Sequence, residues 1–145
     1  MRIEDAVRLR ASVGGTFDWS VPDGWQQGRG AWGGLVACAM ATAAGSVEDD
    51  PARSLRTLSI HIPGALMSGD ACVVVEPLRQ GSGMSTWQLA IRQDDEVKAH
   101  AVAITGRSRT REIVEEEAGW GTAEPPLLPD WTAVHPIPKI GRAHV

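Results

Sequence analysis

Gly28-Arg29-Gly30-Ala31-Trp32-Gly33-Gly34-Leu35-Val36-Ala37-Cys38-Ala39-Met40-Ala41-Thr42-Ala43-Ala44-Gly45 is the stretch on which the fold turns. From Trp32 to Ala44 no residue is charged, and the alanines favour helix while keeping the cylinder thin enough for neighbouring backbone to approach closely. A helix with no polar face is expected to be buried all round. Gly45 is expected to end it, and Glu48-Asp49-Asp50-Pro51 to return the chain to solvent.

The flanks read differently. Upstream, Ile3, Ala6, Val7 and Leu9 predict a short opening turn or helix ended by Gly14-Gly15. Thr16 to Val21 alternates apolar and polar residues as a half-buried strand does, and Pro22-Asp23-Gly24 stops it. Downstream the period changes to two. Leu58, Ile60 and Ile62 share one face, and Thr57, Ser59 and His61 the other, until Pro63-Gly64 breaks the strand. Ala71–Leu78, Ser85–Gln93 and Val97–Thr105 complete the set, joined through Gln80-Gly81-Ser82-Gly83 and Asp94-Asp95. Three hairpin-like connections in succession predict an antiparallel meander. The fold class is therefore α+β: an antiparallel sheet that curls around one central buried helix.

Composition narrows the function classes. The chain has 145 residues, enough for one core of ordinary size but short for two domains. Its 14 Lys and Arg against 18 Asp and Glu give a net charge of -4, with no long basic run, which argues against nucleic acid. No charged-then-apolar leader opens the sequence, and the apolar run is far shorter than the roughly 20 residues that cross a bilayer. A soluble, cytoplasmic protein without membrane contact is expected. Cys38 and Cys72 have no metal-ligand spacing and read as buried free thiols, so neither a metal nor another cofactor is expected.

Gly28-Arg29-Gly30-Ala31-Trp32-Gly33 matches the glycine pattern of dinucleotide sites, with Asp49 and Asp50 near the distance of a ribose-binding acid. That pattern needs a parallel strand-helix-strand unit, and an antiparallel meander follows instead. The glycines have another use. At a helix amino end, unpaired N–H groups and the helix dipole polarise a carbonyl laid against them, and Gly33 and Gly34 leave the backbone open to it. Packing of helix on sheet is the equally weighted alternative. Trp19, Trp25, Trp32 and Trp87 are the candidates for lining an acyl pocket, with core or interface packing as the commoner role of tryptophan, and Trp32, adjoining that helix start, is the one preferred.

Gly30-Ala31-Trp32-Gly33-Gly34-Leu35-Val36 with its alanine-rich continuation resembles the aromatic-Gly-Gly helix start of type II acyl-CoA thioesterases. The resemblance extends through Leu55-Arg56-Thr57-Leu58, Ile62-Pro63-Gly64, Val75-Glu76-Pro77-Leu78-Arg79-Gln80-Gly81 and Ser85-Thr86, covering roughly Phe17 to Gly106. It implies a hot-dog fold, an acyl-CoA or related thioester as substrate, and thioester hydrolysis releasing CoA and a carboxylic acid. It also implies two hot-dog domains in one chain, the water-activating Asp, Gln and Ser or Thr lying in the second. The sheet edge is then met by that second domain or by another copy, as homodimer or pseudo-dimer.

The domain is expected at 16–106, with 107–138 a proline-rich linker toward a second hot-dog domain. Residues 139–145 are expected to be sequencing-adapter read-through: Ile140-Gly141-Arg142-Ala143-His144-Val145 translates ATC GGA AGA GCA CAC GTC, which a stop codon follows.

The catalytic base is unassigned. The central helix carries no Asp or Glu, Asp18, Asp23, Asp70 and Glu76 stand on strand edges or turns, and His61 and His100 read as surface or interface residues. Ser85 and Thr86 read as strand residues beside the ligand groove, because no His and acid surround them at a recognisable spacing. A noncatalytic acyl-binding or dimerisation module is the alternative reading. A hydratase is disfavoured, lacking a His with an acid on the helix.

Overall fold

The computed structural model describes residues 1–109 and Leu127, with Met1–Arg109 forming one unit. A single turn of helix, α1 (Ile3–Ala6), opens the chain. It stops earlier than expected, because the backbone extends again as β1 (Leu9–Ala11) and pairs with β2 (Thr16–Val21). The Trp19 indole N–H donates to the Ala6 carbonyl at 3.0 Å, tying α1 to the sheet.

Next comes a two-stranded ribbon that the sequence reading missed, β3 (Gln26–Gln27) and β4 (Gly30–Ala31), turning at Gly28, whose φ of 73° suits glycine. Helix α2 (Gly33–Val47) follows. Four long strands complete the unit: β5 (Arg53–His61), β6 (Gly69–Gln80), β7 (Met84–Gln93) and β8 (Glu96–Arg107).

The six-stranded sheet runs β1-β2-β6-β7-β8-β5, every pair antiparallel. Only β6-β7-β8 form the meander. β5 does not neighbour β6 but crosses to the far edge and pairs with β8, so Pro63-Gly64 begins a crossover and not a hairpin. Asp94 and Asp95, with φ of 52° and 62°, form the two-residue turn between Gln93 and Glu96. Pro77 stands next to the bulge at Leu78, where a strand tolerates a missing N–H.

Alternation decides what meets the helix. Phe17, Trp19, Val21, Val73, Val75, Trp87, Leu89, Ile91, Ala99, Ala101 and Ala103 point inward and pack on α2. Alanines on β8 let the helix lie close. α2 itself is not buried all round. Leu35, Val36, Ala39, Met40, Ala43 and Ala44 form the core face, while Ala37, Cys38 and Ala41 are half-buried and Thr42 and Gly45 exposed. A sheet of six strands covers one side of a helix, and the small residues opposite carry no charge. Gly45 lies inside the helix, which ends at Glu48. Cys38 and Cys72 are free and half-buried, so the expectation of full burial fails for both.

Candidate functional site

The start of α2 is held by the β3–β4 ribbon. The Trp32 N–H donates to the Trp25 carbonyl at 2.7 Å, and Ala31 N–H to Leu66 O at 2.7 Å. A side chain at Gly30 would crowd the Leu66 amide and Ala65, so any larger residue has to push the 65–66 backbone back. The 65–68 segment is fixed in turn by the buried Gln93 amide. Gln93 accepts from Met67 N–H at 2.8 Å and donates to Met67 O at 3.0 Å and Asp70 O at 3.3 Å. From Gln93 through Leu66 to Trp32, a chain of polar contacts positions the helix entrance.

At that entrance the Trp32 carbonyl receives the N–H groups of Leu35 at 2.9 Å and Val36 at 3.2 Å, and no side chain caps the helix. Gly33 and Gly34 carry the first N–H groups, which an α-helix leaves without intrahelical partners. The two glycines differ. A Cβ at Gly34 would meet the outer edge of the Trp32 indole, which lies across the first turn, so a larger residue there has to turn that exposed ring aside. A Cβ at Gly33 would meet only Ile62 Cδ1 at an ordinary 3.6 Å, and no steric contact demands glycine. The Trp32 indole stacks on Trp25 with ring centroids 6.2 Å apart and planes inclined by 27°. Trp32 and Ile62 stay 44% and 47% exposed, giving the entrance an apolar rim.

The structure thus places Trp25, of the four candidate tryptophans, beside Trp32, Gly33 and Gly34. Trp19 and Trp87 are buried in the core. Ser85 is also buried and bonded, its hydroxyl 2.6 Å from Arg53 Nη1, so it cannot line a groove, while Thr86 lies on the opposite face of β7. Asp18, Asp70 and Glu76 occupy β2 and β6, on the outer side of the sheet. His61 and His100 are register partners on that outer side.

Sequence reading assigned Glu48 and Asp50 to solvent, and this is corrected. The Glu48 side chain is 5% exposed and that of Arg53 11%. Glu48 receives the Thr105 hydroxyl, which itself accepts from Trp87 Nε1 at 3.1 Å, and its Oε1 lies 3.4 Å from Arg53 Nη1. Arg53 Nη2 donates to Gly81 O at 2.7 Å and Ser82 O at 3.2 Å. Arg53 Nε makes a charge contact with Asp50 Oδ2 at 3.2 Å without hydrogen-bond geometry, and Arg107 Nε donates to the same oxygen at 2.7 Å. Burial pushes the Glu48 carboxyl up, but Thr105, the Asp50 amide, Ser85 and Arg53 together outweigh it and hold the group below its usual range. The only sequence signal was Arg53 three and five residues beyond the two acids.

Glu48 does not serve the entrance. It caps the opposite end of a 15-residue helix, about 22 Å away at 1.5 Å per residue. The entrance can therefore polarise and hold a carbonyl oxygen, and among the described residues no carboxylate of α2 stands beside it to activate water.

No match was found among the curated proteins. Among solved structures, a hot-dog-fold protein of unknown function from Alicyclobacillus acidocaldarius is similar at TM-score 0.71 and 23% identity, covering 94% of this chain and 50% of that one. The tesB protein of Mycobacterium avium subs paratuberculosis is similar at TM-score 0.62 and 18% identity over 76% of this chain and 44% of that one. A Bacillus halodurans protein solved with CoA is similar at TM-score 0.61 and 16% identity over 69% and 71%. The chain spans about half the length of the first of these. The likenesses show a hot-dog fold of α+β class, an antiparallel sheet packed on a helix. The family model "Acyl-CoA thioesterase N-terminal domain" matches residues 21–106, more than half of the sequence, and the chain belongs to that family.

Proposed function

We propose that this domain is the amino-terminal half of an acyl-CoA thioesterase, which splits a thioester into CoA and a carboxylic acid. One observation carries the reading: the uncapped start of α2 at Gly33-Gly34, walled by Trp32 and backed by no acid on the helix. In this proposal the Gly33 N–H polarises the thioester carbonyl and stabilises the oxyanion, and the Trp32 rim holds the adjoining acyl or pantetheine chain. A second hot-dog domain supplies the base that activates water. Hydrolysis then adds hydroxide to the carbonyl carbon and releases the CoA thiolate, which takes up a proton.

The remaining proposals follow from it. The hot-dog domain is taken as 16–106, with 107–138 as linker and 139–145 as adapter-derived; apart from Arg107–Arg109 and Leu127, these carboxyl-terminal segments lie outside the described residues. The exposed edge of β5 pairs with the second hot-dog domain or with another copy. The place of action is proposed as the cytoplasm, consistent with two free thiols; no helix among the described residues is long and apolar enough to cross a membrane.

The test is thiol release by the uninterrupted gene product over a series of acyl chain lengths, followed with a thiol reagent. Release is expected for at least one chain length, and its absence across the series overturns the hydrolase. The lack of an Asp or Glu on α2 favours a second reading, a noncatalytic acyl-binding or dimerisation module. Saturable acyl-CoA binding by the full-length protein without turnover would select it.

A further inference from the structure

The hairpin between β6 and β7 has two faces that differ in charge. On the inner face Arg53 Nη2 takes the Gly81 and Ser82 carbonyls at 2.7 and 3.2 Å. In a trans peptide the N–H points opposite to its carbonyl, and none of the described peptide bonds is cis. The Ser82 and Gly83 N–H groups therefore point outward, away from Arg53, and among the described residues neither has a partner. Outward lies a cavity of about 360 Å³ lined by Arg79, Gly81, Ser82, Gly83, Met84, Thr86 and Arg109.

Among the described residues its lining contains two arginines, two hydroxyls and no acid. Among the described residues neither Arg79 nor Arg109 forms an ion pair, whereas Arg8, Arg10, Arg53 and Arg107 all do. Successive outward N–H groups make an anion-binding concavity, and guanidinium forks add charge-assisted donors that match phosphate oxygens. The geometry points to a binding site for a phosphate group on this hairpin, held by the Ser82 and Gly83 amides between Arg79 and Arg109, with room for a diphosphate. Arg53 acts through the turn, fixing which way its peptides face. The site lies on the outer side of the sheet near the carboxyl end of α2, so it stands independently of the thioester proposal.

The test titrates the full 145-residue chain with inorganic pyrophosphate and follows backbone amide resonances. The Ser82 and Gly83 amides are expected to move most. Arg79→Gln and Arg109→Gln, both surface changes, are each expected to weaken binding about tenfold by removing a charge-assisted contact. Arg92→Gln, on another part of the outer face, is expected to leave it unchanged. Still amides at Ser82 and Gly83, undiminished affinity in Arg79→Gln and Arg109→Gln, or equal loss in Arg92→Gln each overturn the site. Two further probes identify the source of the phosphate. If it is the nucleotide end of CoA, adenosine bisphosphate moves the same amides at least as tightly as pyrophosphate and pantetheine moves none. If it is a free phosphate compound, pyrophosphate binds more tightly. Neither probe requires turnover, so failure of hydrolysis and failure of this site are separately visible.

Discussion

Arg53 Nη1 lies 2.6 Å from the buried Ser85 hydroxyl, joining the first residue of β5 to the inner face of β7, two strands away across β8. The same guanidinium neutralises Glu48 and holds the β6–β7 turn. Removing one partner of a buried pair leaves the other charge uncompensated. Arg53→Ala is expected to destabilise the domain by about 3 kcal/mol in urea denaturation. Arg10→Ala, which breaks an exposed pair with Asp18, is expected to cost under about 0.5 kcal/mol. Equal losses would show that Arg53 is held no more tightly than a surface arginine.

Acid should act through Glu48. Its carboxyl is held below the usual value of 4.5 in the folded state, so its contribution is present above that value and is lost as pH falls through the folded one. Asp50 and Glu96 are shifted the same way, Asp50 by the Ala52 amide and then Arg107, Glu96 by Lys98. Glu48→Gln is expected to lower the melting temperature at neutral pH and to flatten its decline below 4.5. Parallel stability curves for native and variant would exclude the carboxylate as a source of the acid sensitivity.

The two glycines of the helix start are separable by one methyl group. Gly34→Ala drives a Cβ against the edge of the Trp32 indole and is expected to turn that ring aside, changing its exposure at a cost under about 1 kcal/mol. Gly33→Ala meets only Ile62 Cδ1 and is expected to stay within about 0.5 kcal/mol of native. Thermal melts with acrylamide quenching of tryptophan emission check both. A Gly33 variant that folds but no longer binds acyl-CoA would favour a ligand role for that position.

Asp94-Asp95 places two consecutive side-chain-bearing residues at positive φ, in a turn whose preferred sequence ends in glycine. Asp95→Gly is expected to raise stability by about 0.5–1 kcal/mol. Urea denaturation measures it, and a loss would mean that the carboxylate does something the backbone geometry does not reveal.

β5 is an edge strand of nine residues with Leu55 exposed, and an open edge invites pairing. The chain is expected to elute at about twice its 15.5 kDa mass, and Leu55→Lys to shift it toward monomer. A monodisperse native monomer would remove the β5 proposal.

The strand alternation from Leu55 to Thr105 could be read in the sequence because most inward residues are apolar and strand positions two apart share a face, although Ser85, Gln93 and Thr105 point inward and Val102 and Ile104 outward. The partner of β5 could not. Period two says which face a residue takes but nothing about which strand lies beside it, and the chain passes from the Pro63-Gly64 break to the far side of the meander. The ribbon at Gln26–Ala31 was hidden because two-residue strands have no period. The start of α2 at Trp32-Gly33 was legible because helix starts have a local grammar. The Glu48–Arg53 network was not, since apart from Asp50 its other members, among them Gly81, Ser85, Thr105 and Arg107, are distant in sequence.

Cys38 and Cys72 stand on opposite sides of the layer: Cys38 on the face of α2 turned from the sheet, Cys72 on the outer surface of β6, between Asp18 and Arg92. Neither is tied in a disulfide. The molecule thus carries a built-in pair of chemical reporters, one per surface. Whichever thiol loses its reactivity toward alkylating reagent on assembly tells which side the arriving body has covered, without a single substitution.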